Sequence, residues 1–126
     1  MRDKRGFTLI ELLMALGILT AVLMALGVAS SHFIQDVTLI ERRAAAMDLV
    51  ESRIDQIQLD PVYPGLDTRW AGAETGFPTL DGYVRTTAVR HVGGLGQAND
   101  HMKVTVTVTG PGVIPPVSRT ITIAAP

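Results

Sequence analysis

The residues able to do chemistry are few, and one is out of place. Glu11 puts a carboxylate into the run KRGFTLIELLMALGILTAVLMALGVAS, residues 4–30, which is otherwise almost entirely apolar. At membrane depth a carboxylate is costly unless it is paired or close to the interface. His32, His91 and His101 are not spaced as metal ligands. The chain has no cysteine, hence no disulfide framework and no thiolate metal site. Asp100 and His101 read as a surface pair on a loop, and Glu41, Arg42 and Arg43 as a solvated helix turn. The glycine-rich GGLGQAN, residues 93–99, is followed by no helical pattern, so it is not a dinucleotide fingerprint. These residues supply no catalytic set, and no catalytic residue, metal or cofactor is expected. A formal net charge of −1 argues against a strongly basic nucleic-acid surface, and no direct nucleic-acid binding is expected.

The elements that must position Glu11 follow from the hydropathy pattern. Residues 12–35 contain no charge, and about 20 such residues suffice to cross a bilayer as a helix. Beyond them Phe33, Val37, Ile40, Ala44, Met47, Val50, Ile54 and Ile57 recur every three or four residues. That spacing predicts one face of an amphipathic helix, with Asp36, Arg43, Asp48, Glu51, Arg53 and Asp55 off it. No proline interrupts residues 7–60, and Pro61 and Pro64-Gly65 end the pattern. One continuous helix over about residues 7–59 is predicted, roughly 80 Å long at 1.5 Å per residue.

After a loop over residues 60–80, three segments alternate as half-buried strands do: 82–92, 102–109 and 117–124. In the second, Val104, Val106 and Val108 share a face; in the third, Ile121 and Ile123 do. Short glycine- and proline-rich links predict an antiparallel meander. Its apolar face needs a cover, and the amphipathic half of the helix is the candidate. Tyr63, Trp70, Phe77 and Tyr83 lie in or beside the loop, where they either cover the sheet or meet a neighbouring subunit. The expected class is α+β: a long N-terminal helix, transmembrane in its first half and amphipathic in its second, packed on a small C-terminal antiparallel sheet.

Three readings of Glu11 compete. In a secretory signal peptide, Gly27-Val28-Ala29 would be the cleavage site, but the helical pattern runs on past it. In a plain signal anchor, the basic leader stays inside and Glu11 sits near the interface with no further role. The third rests on resemblance. RGFTLIELLMALGIL, residues 5–19, resembles the N-terminal signature of type IV pilins and type II secretion pseudopilins. The resemblance implies a leader of residues 1–6 cut after Gly6 by a prepilin peptidase, N-methylation of the new terminus Phe7, and an assembly role for Glu11. The amine left on Phe7 and the carboxylate of a neighbouring chain's Glu11 would then fix axial register between helices. Such a desolvated pair adds little net stability, but removing one partner is strongly unfavourable.

The layout expected from this family is a leader over residues 1–6, a transmembrane and filament-core helix over 7–30, an amphipathic helix over 31–60 and a β-domain with its αβ loop over 61–126. Gly17, Ala21, Ala25 and Ala29 recur every four residues and would let helices approach closely. The helix lacks the bending proline common in major pilins, and the chain lacks their cysteine pair, which favours a minor pilin or minor pseudopilin. The closing segment, KVTVTVT to VSRTITIAAP, also resembles the closing hairpin of minor pilins of the pilus-modification type and of the minor pseudopilin I subunits of type II secretion. Expected partners are the prepilin peptidase, other major and minor pilins or pseudopilins, and the inner membrane. The C-terminal domain would lie on the periplasmic side, and the subunit would join the assembly-initiating tip of a type IV pilus or of a type II secretion pseudopilus. The alternative is a single-pass anchored β-domain that binds a ligand and never polymerises.

Overall fold

The computed structural model describes residues 6–126, so the basic leader residues Arg2, Lys4 and Arg5 lie outside the described part. Helix α1 runs over Leu9–Gln58 without interruption. Thr8 starts it: the Glu11 backbone N–H donates to Thr8 Oγ1 at 3.3 Å, and the Leu12 N–H to the Thr8 carbonyl at 3.1 Å. Thr8-Leu9-Ile10-Glu11 is therefore a capping-box sequence, with an acid where the helix dipole favours one. The helix ends where the Asp60 N–H bonds back to the Ile57 carbonyl and Pro61 follows.

A short helix α2 (Leu66–Trp70) and four strands complete the chain: β1 (Gly72–Glu74), β2 (Val84–Val92), β3 (His101–Thr109) and β4 (Val117–Ala124). The strands form one antiparallel sheet in the order β1-β2-β3-β4. The expected meander is present, with an additional short edge strand. The stretch expected as loop over residues 60–80 holds both α2 and β1.

The chain divides into two compact units, Met1–Thr38 and Leu39–Pro126. In the first, the described helical residues are exposed on nearly every side, Gly17, Ala21, Ala25 and Ala29 among them. The helix is long and apolar enough to cross a membrane.

In the second unit the last turns of α1 cover the sheet. Ala46, Val50, Ile54 and Ile57 form the buried stripe, and β3 answers with Met102, Val104, Val106 and Val108. Tyr63, Leu66, Tyr83, Val113 and Val117 close the core, with Trp70, Phe77, Ile121 and Ile123 half-buried against it. Each fully buried aliphatic side chain contributes about 1.5–3 kcal/mol of transfer free energy.

The buried face differs from the expected one in its first half. Ile40, Ala44 and Met47 are exposed, and Ala46 takes the inward position instead. Three consecutive alanines, Ala44 to Ala46, leave the pattern without a clear phase there, and Ala46 is the one that lies in line with Val50, Ile54 and Ile57. Arg53, expected off the face, is packed against the sheet with its guanidinium 4.7 Å from the Trp70 ring centre.

Two polar arrangements pin the elements around this core. Glu74 of β1 accepts from Arg85 Nε at 2.8 Å and lies 3.4 Å from Arg53 Nη1. Arg85 also donates to the Leu49 carbonyl at 3.0 Å, which ties the sheet to α1. At the end of α1, Asp60 accepts from Trp70 Nε1 at 2.7 Å and from Arg69 Nη2 at 2.9 Å.

Candidate functional site

The candidate site begins with a stretch of backbone. Gly6, Phe7 and Thr8 precede the first helical residue, Leu9, and all three are exposed. The Phe7 side chain is 86% exposed. A Cβ placed on Gly6 would meet nothing within 4 Å, so packing within this chain does not demand glycine there. The peptide bond between Gly6 and Phe7 is thus presented in non-helical, solvent-facing form. Glu11 follows in the first helical turn, its backbone N–H engaged by Thr8 and its side chain exposed. TLIE has the form of a capping box, and the bond that starts the helix uses the Glu11 backbone N–H and leaves its side chain exposed.

The histidines are dispersed. His32 is exposed on α1, His91 lies on β2 and His101 opens β3. Among the described residues no three His, Cys, Asp or Glu side chains gather as a metal site.

Asp100 corrects the reading of a surface pair. It is 6% exposed and takes part in three short hydrogen bonds. Tyr63 Oη donates to Oδ1 at 2.6 Å, His91 Nε2 lies 2.6 Å from the same oxygen, and the Gly96 N–H donates to Oδ2 at 2.8 Å. The Tyr63 hydroxyl, then the Gly96 N–H and His91, hold the Asp100 carboxyl down at about 2. Burial, aided by the adjacent carboxylate, pushes the Tyr63 phenol up to about 12. The cluster fastens the β2–β3 loop to the end of α1. Its hydroxyl, carboxylate and imidazole are bonded to one another, and the cluster serves as a joint between these segments.

Among the sheet's arginines, Arg85 is buried on Glu74 and Arg119 pairs with Glu51 of α1. Arg90 is exposed on β2. All four loop-region aromatics, Tyr63, Trp70, Phe77 and Tyr83, contribute to covering the core.

The comparisons with known proteins bear on the N-terminus first. Residues 1–27 match the prokaryotic N-terminal methylation motif. Over 64 residues the chain is 34% identical to type II secretion system protein I of Pseudomonas aeruginosa, covering 51% of this chain. The match spans 50% of that relative's length. No solved structure matches the chain. An α+β chain with a long apolar N-terminal helix and a four-stranded antiparallel sheet thus carries the prokaryotic N-terminal methylation motif and is similar over half its length to a type II secretion system protein I.

Proposed function

We propose that the chain is a minor pseudopilin, a structural subunit of a type II secretion pseudopilus and not an enzyme. The observation that carries this reading is the position of the methylation motif on the fold. Its Gly6–Phe7 junction is exposed and non-helical, two residues ahead of a helix suited to a bilayer, with Glu11 in the first turn. A peptidase needs an extended, reachable bond, and a subunit leaving the membrane needs an otherwise apolar rod.

In this reading the prepilin peptidase cuts after Gly6 and Phe7 is methylated. The new amine on Phe7 meets Glu11 of a neighbour in the filament core. Gly17, Ala21, Ala25 and Ala29 form the stripe on which neighbouring helices pack. Residues 1–6 are the leader, 7–30 the membrane and filament-core segment, 31–60 the helix that carries the β-domain, and 61–126 that domain. Basic residues before the apolar run keep the leader cytoplasmic and put the β-domain in the periplasm. The subunit acts in the assembly-initiating tip, with other pseudopilins as partners.

The test is the intact mass and N-terminal sequence of the protein from envelopes with and without prepilin peptidase, joined to an incorporation assay for Glu11→Ala. A chain beginning at methylated Phe7 only when the peptidase is present, and a processed but unincorporated Glu11→Ala variant, are expected. A retained Met1 would make the protein an ordinary anchored β-domain. Normal incorporation of Glu11→Ala would remove the register role of that carboxylate.

A further inference from the structure

The second unit has an open side. Strand β4 ends the sheet, and among the described residues no strand pairs with its outer edge. Natural edge strands are commonly blunted by lysine, proline, bulges or a covering element. Within β4, Val117–Ala124, there is no proline and no lysine, and its one charged side chain, Arg119, is drawn onto Glu51 of α1. Its inward side chains Ile121 and Ile123 remain only half-buried.

A second uncovered surface lies directly beside this edge. Arg43 donates to the Pro115 carbonyl at 3.5 Å, and Glu51 pairs with Arg119. Eight helical residues advance about 12 Å and four extended residues about 13 Å, so α1 and the start of β4 run side by side over this distance. Arg43, Met47 and Glu51 are spaced by four along that flank. Yet Met47 is 53% exposed and Ile40 68%, and with Ala44 they line an open groove with Arg43, Asp48 and Glu51 at its rim. An unpaired strand edge and an apolar trough next to it present two complementary requirements: backbone partners and alternate apolar side chains.

We propose that β4 and the Ile40–Ala44–Met47 trough form the docking surface for one extended strand of a neighbouring pseudopilin. The strand adds to the sheet through its main chain and sets every second side chain into the trough. Charge complements it: Arg43, on the flank nearest β4, favours an acidic residue on the incoming strand, and Asp48, on the opposite flank, favours a basic one. This rests on the reading of the chain as a pseudopilin, and says how a neighbour engages its β-domain.

The experiment uses the full-length protein in cells that carry the secretion machine, with a photo-crosslinking residue placed singly at Thr120, Thr122, Met47 and, as reference, Ala21. Adducts from Thr120 and Thr122 are expected in a single segment of one neighbouring subunit, two residues apart, with Met47 adducts in the same segment. Thr122→Lys and Met47→Glu, each checked for an unchanged melting temperature, are expected to lower these adducts about tenfold while Ala21 adducts persist. Ala21 adducts without any from Thr120 and Thr122 would overturn the docking proposal alone. So would adducts scattered without the two-residue step, or falling only on β4 of a second copy. Absence of adducts from all four positions would overturn both this proposal and the pseudopilin reading.

Discussion

Tyr63 and Asp100 lie 37 residues apart in the chain and 2.6 Å apart in space, phenol donating to carboxylate. The bond closes the β2–β3 loop onto the segment that follows α1, and it has a pH signature. A carboxyl held at about 2 against an ordinary value of 3.8 contributes stability that is present above about pH 4 and lost as pH falls toward 2. The phenol, pushed from 10.0 to about 12, works in the opposite sense: its contribution is present below about pH 10 and lost as pH rises through 12. Asp100→Asn is expected to be less stable than the parent at pH 7 and to converge with it toward pH 2. Melting temperatures of the two proteins across pH 2–7 check this. Parallel curves would mean that Asp100 is not the titrating joint.

Gly93 opens the same loop with φ +87°, and a Cβ there would fall 2.3 Å from the Asn99 carbonyl oxygen. Gly93→Ala must therefore displace backbone as well as accept a left-handed conformation. A loss of about 1–3 kcal/mol is expected from such strain. Gly96 has φ +76° but open space around it, so Gly96→Ala meets the conformational cost alone, about 1 kcal/mol. Denaturant unfolding of both variants gives the comparison; equal losses would show that the Asn99 contact is relieved without cost.

The two phases of the helix surface separate by mutation. Ile54 is 2% exposed against the sheet, and Ile54→Ala is expected to cost about 2–5 kcal/mol. Ile40 is exposed, and Ile40→Ala is expected to change the stability of the isolated chain by about 0.5 kcal/mol or less. Chemical denaturation of each variant in detergent measures this. A large loss at Ile40 would place the sheet's cover one phase earlier along α1.

Glu74 serves two guanidiniums, Arg85 at 2.8 Å and Arg53 at 3.4 Å, and Arg85 above all holds its carboxyl below the usual range. Glu74→Gln keeps the shape and removes the charge. A loss of about 1–3 kcal/mol is expected, because one buried and one half-buried cation are left without an anion. Trp70 is the chain's one tryptophan and carries Arg53 over its ring, so its fluorescence should report the change. An unaltered spectrum and unaltered stability would mean that the aromatic rings, carbonyls and the Thr87 and Ser52 hydroxyls suffice to hold the two arginines.

Much of this architecture is legible in the residues themselves. The absence of proline over residues 7–60 makes the helix length readable, and the strict alternation of Val104, Val106 and Val108 fixes both β3 and its inner face. What escapes is whatever depends on a distant partner. Asp100 has the composition of a surface residue, and only Tyr63 and His91, brought up by the fold, make it a buried one. The three-residue β1 carries too little pattern to be seen, and it exists because Arg85 and Arg53 hold Glu74 beside β2. The alanines at 44–46 allow more than one helical phase, and only the sheet decides between them. For the candidate site, Gly6, Phe7 and Glu11 are legible as a motif, whereas the capping bond to Thr8 shows how that motif also begins the helix.

The stripe of Ala46, Val50, Ile54 and Ile57 has a consequence for how the protein is made and cut. It leaves the ribosome ahead of every strand that will cover it, so a nascent chain carries this apolar ribbon bare until β3 arrives. A truncated protein meant to be handled in water faces the converse problem. Begun at Leu39, it keeps the second compact unit whole; begun after Gln58, it would present β3's valines to solvent with nothing to replace the missing lid.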